Sequence, residues 1–128
     1  MLTISNILLD GDRVLARWTN NLYYRGHVEP IVHTMETEVL FTDGSRITHL
    51  DEDRTAIIAD EAPAKVNVRQ HVLATWTRWK DKYYIGFIID KTSSEYKVLF
   101  DDGDQAWYKL QDLRVLPVAD RFQRKIQR

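Results

Sequence analysis

The chain has 128 residues, with 44% hydrophobic and 29% charged residues and a formal charge of -1, which is the composition of a folded globular chain rather than a disordered tail. A balance so close to neutrality provides no global field for nucleic acid, and the absence of cysteine excludes disulfides, thiolate metal sites and cysteine nucleophiles. The longest apolar runs, such as 83–89, are too short to cross a bilayer, and the N-terminus lacks the basic start and apolar centre of a signal peptide, so no membrane role is expected.

Taken in chain order, short runs rich in Val, Ile, Leu, Tyr, Trp and Phe alternate with polar or glycine-bearing turns, the pattern of short antiparallel strands. Strands are expected near 13–19, 22–30, 37–42, 45–50 and 55–59. A second set follows near 71–77, 82–90, 95–101, 104–109 and 113–116. The two sets are copies. Val14-Leu15-Ala16-Arg17-Trp18-Thr19 returns as Val72-Leu73-Ala74-Thr75-Trp76-Thr77, Tyr23-Tyr24-Arg25-Gly26 returns as Tyr83-Tyr84-Ile85-Gly86, and Val39 to Gly44 returns as Val98 to Gly103.

Asp43-Gly44 and Asp102-Gly103 stand between apolar stretches, where glycine supplies the positive φ of a tight hairpin. Gly26 and Gly86 stand inside strands instead and mark a bend or a close backbone approach. The copies differ at one face: Ile85, Phe87 and Ile89 replace Arg25, His27 and Glu29, so that face of the second copy needs a cover, either the other copy or the C-terminal segment. Residues 1–60 are read as the first barrel, 61–70 as a linker, 71–117 as the second barrel and 118–128 as a C-terminal helix, with Val118, Phe122 and Ile126 on one side.

Each copy carries a Trp, a Tyr, a Phe and an Asp in the same order. Aromatic faces beside a carboxylate suit an organic cation, and methylated lysine suits them best because methyl groups spread the charge and weaken hydration. Three such faces at roughly 1–2 kcal/mol each supply about 3–6 kcal/mol, near millimolar affinity, so flanking peptide contacts must add the rest. The competing reading makes the same rings core residues of two very small barrels.

The order A-x-W, then Y-x-G, then L-F-x-D-G, given twice, resembles the tandem Tudor domains of DNA-damage-response adaptors and related chromatin readers, over about residues 13–126. The resemblance implies an all-β fold of two small five-stranded SH3-like (Tudor) barrels packed together, with a short C-terminal helix. It implies a methyl-lysine cage of Trp18, Tyr24, Phe41 and Asp43 in the first repeat and of Trp76, Tyr84, Phe100 and Asp102 in the second. Where the family has a further aromatic after the hairpin glycine, this chain has Ser45 and Asp104, leaving one wall open, and Trp107 is the candidate for the missing wall of the second cage. Family precedent favours the first repeat as the binder; the residues favour the second. The implied ligand is a methylated histone tail or other methylated nuclear peptide, bound without catalysis or cofactor by a monomer in the nucleus.

Two other readings stay open. Arg121, Arg124, Lys125 and Arg128 form a basic cluster that is the candidate nucleic-acid contact, beside aromatics able to stack on bases. A scaffold module binding an unmodified partner is the third reading. No metal site is expected, because His27, His33, His49 and His71 lack ligand spacing and the acidic runs 51–53 and 101–104 fit no calcium loop. No nucleophile elbow, phosphate loop or zinc-binding helix points to an enzyme.

Overall fold

In the computed structural model, residues 8–30, 35–76 and 79–117 are described, the side chain of residue 79 excepted. Ten strands run in order: β1 (Arg13–Arg17), β2 (Tyr23–Val28), β3 (Glu36–Phe41), β4 (Arg46–Leu50), β5 (Ile57–Ala59), β6 (His71–Trp76), β7 (Trp79–Lys91), β8 (Tyr96–Phe100), β9 (Gln105–Tyr108) and β10 (Leu113–Val115). They lie where the alternation of apolar and polar residues places them. The one helical element among the described residues is a 3-10 turn, Leu110–Asp112.

The strands pair antiparallel as β5-β1-β2-β3-β4 and as β10-β6-β7-β8-β9. The halves are joined where Tyr23 of β2 pairs with Tyr83 of β7. The result is one open sheet of ten strands, which corrects the expectation of two small five-stranded barrels packed together. Among the described residues no ladder joins β4 to β5 or β9 to β10. β5 and β10 have three residues each, and their ladders with β1 and β6 engage all three. The expected helix at 118–128 lies outside the described residues.

Side chains join the outer strands to the start of each half where no ladder does. The Nε2 of His49, on β4, lies 2.8 Å from the Arg17 carbonyl, and the Tyr108 hydroxyl, on β9, donates to the Thr75 carbonyl at 2.8 Å. These are equivalent bonds: Arg17 and Thr75 occupy one repeat position, and His49 and Tyr108 another.

The repeated Val-Leu-Ala run explains the packing. Successive strand residues face opposite sides. Val14 and Ala16 enter a core with Val28, Val39 and Phe41, while Val72 and Ala74 enter one with Val66, Ile88, Val98, Phe100, Tyr108 and Leu113. Leu15 and Leu73 point the other way, into a third cluster with Tyr23, Ile58, Tyr83 and Leu116 that both halves build. Ile85 packs against this cluster, so the first half covers that position of the second. Each aliphatic chain buried there contributes about 2 kcal/mol, far more than a surface ion pair, which makes the docking principally apolar.

A polar pin lies beside the shared cluster. The Asp60 carboxylate, only 2% exposed, accepts from Arg25 Nε of β2 at 2.7 Å and from Arg114 Nε of β10 at 2.9 Å. Arg25 also donates to the Tyr83 hydroxyl, with its guanidinium 5.3 Å from the centre of that ring. Burial alone would push the Asp60 carboxyl up, but the hydrogen bonds and charges of Arg114 and Arg25 outweigh it and hold it below the ordinary carboxylate value.

The two Asp-Gly hairpins form as the sequence requires, with Gly44 at φ 91° and Gly103 at φ 90°. Each closes in the same way. Phe41 N–H donates to Ser45 O at 2.8 Å and Gly44 N–H to Phe41 O at 3.0 Å, while Phe100 N–H donates to Asp104 O at 2.9 Å and Gly103 N–H to Phe100 O at 2.9 Å.

Candidate functional site

The doubled tyrosines divide their work by strand alternation. Tyr23 and Tyr83 are buried in the shared cluster, and the next residues, Tyr24 and Tyr84, point to the opposite side of the sheet and are half-buried. On that side each half has an open hollow.

The hollow of the second half, of about 750 Å³, is lined by Trp76, Tyr84, Phe100 and Asp102, four of the five residues expected for its cage. Phe100 is the floor, 8% exposed, and the half-buried Trp76 meets it edge-to-face, with ring centres 5.4 Å apart and planes at 87°. Tyr108 packs on Phe100 from the core side at 6.1 Å. Burial, with a smaller effect of the Asp112 charge, pushes the Tyr108 hydroxyl up to about 12, so it remains a donor to Thr75 at neutral pH. Asp101, Asp102 and Asp104 stand exposed around the rim, with Asp102 Oδ1 accepting from the Asp104 N–H at 2.9 Å.

Trp107 does not join this hollow. Along β9 the buried Tyr108 and the half-buried Ala106 face the core, which turns Trp107 outward; it is 41% exposed, with Lys97 Nζ lying 5.8 Å from its ring centre. Asp104 itself lines the position where the family's further aromatic would stand.

The hollow of the first half, about 460 Å³, is lined by Trp18, Tyr24, Phe41 and Asp43, all four residues expected there. Phe41, 5% exposed, is again the floor, meeting Trp18 at 5.5 Å and Tyr24 at 6.2 Å, both edge-to-face. Asp43 Oδ1 accepts from the Ser45 hydroxyl at 2.6 Å and from its N–H at 2.9 Å, and these bonds hold the Asp43 carboxyl below its ordinary range. Each tryptophan thus keeps an accessible face beside a carboxylate, a geometry fit for a cation carrying apolar groups.

Sequence reasoning missed the residues that each half lends to the other's hollow. Arg17, Asn20, Asn21 and Leu22, from β1 and the β1–β2 loop, line the second hollow, and Asp81 from β7 lines the first. Asn20 borders both. Its Oδ1 accepts from the Leu22 N–H at 3.0 Å and its Nδ2 donates to the Tyr24 hydroxyl at 2.8 Å, so the loop is held from within and from the cage wall. The asparagine pair marks a turn, and Asn21 takes a positive φ of 66°, but only the docking of the halves turns that loop into a wall.

Arg17 is committed elsewhere: its Nη2 bonds Asp53 at 2.6 Å and its Nη1 donates to Thr55 Oγ1 at 3.1 Å. No cluster of His, Asp or Glu able to hold a metal occurs among the described residues. Arg121, Arg124, Lys125 and Arg128, the candidate nucleic-acid contact, lie outside the described residues.

Residues 11–128 match the family described as Domain of unknown function (DUF4537), and the chain belongs to that family. The sequence matches no curated protein. Among the solved structures that share its fold are two tandem modules. The AGD34 segment of Arabidopsis thaliana AGDP1 is 15% identical with a TM-score of 0.52, covering 84% of this chain and 82% of that one. The tandem Agenet domain 3-4 of ADCP1 is also 15% identical with a TM-score of 0.52, covering 87% and 89%. Agenet domains are Tudor-like, so these structures support the Tudor-like fold and not the narrower resemblance to DNA-damage-response adaptors.

Proposed function

We propose that this member of the DUF4537 family, sharing the fold of a tandem Agenet module, is a non-catalytic reader that binds methylated lysine on a histone tail or another nuclear protein. One observation carries the reading: the Trp, Tyr, Phe and Asp repeated in the sequence converge on one open hollow in each half, with a buried floor and an accessible tryptophan wall.

The second hollow is the principal site. It is the larger, and its rim carries Asp101, Asp102 and Asp104. Those carboxylates draw a basic peptide, and its methylammonium enters between Trp76 and Tyr84 and rests over Phe100. Trp107 takes no part in this cage. The absence of a further aromatic leaves the wall at Asp104 open, where peptide backbone and neighbouring side chains supply the affinity that the rings alone do not.

The test is a calorimetric titration with one basic peptide carrying zero, one, two or three methyl groups on a single lysine. Affinity should rise on methylation by about tenfold or more and fall to the unmodified level in Trp76→Ala. Binding indifferent to methylation would overturn the reading. If single-stranded oligonucleotides bind instead, with a steep salt dependence, the aromatics serve nucleic acid.

A further inference from the structure

The two hollows lie next to each other. Tyr23 and Tyr83 are paired residues of neighbouring antiparallel strands, which makes Tyr24 and Tyr84 diagonal neighbours on one face of the sheet, about 7–8 Å apart. Asn20 stands between the hollows and lines both. Neither hollow is complete without the other half, since Asp81 reaches the first and the β1–β2 loop walls the second.

Their charges also act together. Asp43 and Asp81 line one hollow, Asp101, Asp102 and Asp104 the other. The lining cations, Arg17 and Arg25, are each already ion-paired, with Asp53 and Asp60. The combined surface therefore has carboxylates to spare, spread over two aromatic hollows.

We infer that a single basic peptide occupies both hollows at once, crossing over Asn20 and placing one cationic side chain in each. This rests on the methyl-lysine reading and adds to it a second cation and a fixed spacing. An extended peptide advances about 3.4 Å per residue and returns its side chains to the same side every second residue, about 7 Å apart. Cations two or four positions apart in the sequence therefore match the two hollows, the longer spacing allowing for the outward splay of the rings. A peptide with its cations much farther apart must loop, and one with adjacent cations turns them to opposite sides.

The experiment uses the whole 128-residue chain and synthetic basic peptides carrying one dimethyl-lysine, or two separated by one, two, four or eight positions. Calorimetry reads affinity and stoichiometry. The expected result is one peptide per chain, with at least about tenfold tighter binding of the doubly modified peptide than of either singly modified one, confined to separations of two and four positions. Trp18→Ala should remove that gain. Stoichiometry and spacing are read on the unaltered chain, so the result stands even where a tryptophan variant folds poorly. Two peptides per chain, or no gain at any spacing, would overturn the inference. In that event a singly modified peptide that still binds by its methyl groups and is lost in Trp76→Ala leaves the reader function intact. Binding independent of methylation would remove both.

Discussion

Replacing Asp60 with Asn tests whether the halves form one rigid unit. Its carboxylate is 2% exposed and takes two guanidinium hydrogen bonds, at 2.7 and 2.9 Å. The change keeps the shape and removes the charge. Arg25, with 43% of its side chain exposed, recovers water, whereas Arg114, at 11%, stays behind as a poorly compensated cation. The cost should be about 3 kcal/mol, dominated by Arg114, since breaking a buried pair from one side leaves the other charge unanswered. For a chain of this size that is about 10 °C in Tm.

Urea unfolding followed by tryptophan fluorescence and circular dichroism provides the measurement. The two signals should move together in the parent chain and separate in the variant if the halves come apart. Because Asp60 has a depressed pKa when folded, its contribution is complete above the ordinary carboxylate value of 3.8 and fades as the pH falls through the folded value below it. The difference between parent and variant should therefore be constant near neutrality and shrink in acid below about pH 4. Arg46→Gln is the control, since its pair with Glu29 spans 3.4 Å with Arg46 55% exposed, and it should cost under about 0.5 kcal/mol. An Asp60→Asn loss below about 1 kcal/mol would mean that the buried carboxylate does not pin the halves together.

Tyr108→Phe should lower stability by about 1 kcal/mol through the lost bond to the Thr75 carbonyl, and should remove a late-titrating phenol, near 12, from an ultraviolet alkaline titration. Gly26→Ala should be worse than Gly86→Ala, because a Cβ on Gly26 would stand 2.6 Å from the Leu40 carbonyl oxygen, which is backbone, while one on Gly86 meets chiefly the Val98 side chain; urea midpoints rank the two. Trp107→Ala should leave the affinity for a methylated peptide within about twofold of the parent, because its ring faces away from the second hollow, and calorimetry reads this directly.

The repeat made the strand positions and both hairpins legible, because alternation in Val14 to Ala16 and the Asp-Gly pairs are local signals. It also gave the four residues that meet in each hollow. What it could not give was the joining of the halves. Tyr23 and Tyr24 look alike in sequence, and so do Tyr83 and Tyr84; alternation sends the two of each pair to opposite sides, but only the β2–β7 pairing makes the side of Tyr23 and Tyr83 a cluster shared by both halves. That pairing merges both halves into one open sheet, which local patterns do not foretell. Trp107 was assigned to the cage by nearness in sequence, although alternation with the buried Tyr108 already turned it outward. Asn20 and Asp81 acquire their roles only from the opposite half.

Nuclear Overhauser contacts between the methyl protons of a dimethyl-lysine peptide and the protein's aromatic rings locate the bound methylammonium. Contacts are expected to the rings of Trp76, Tyr84 and Phe100, with the Trp107 indole unaffected. Methyl contacts confined to Trp107 or to residues outside both hollows would rule out a cage at Phe100.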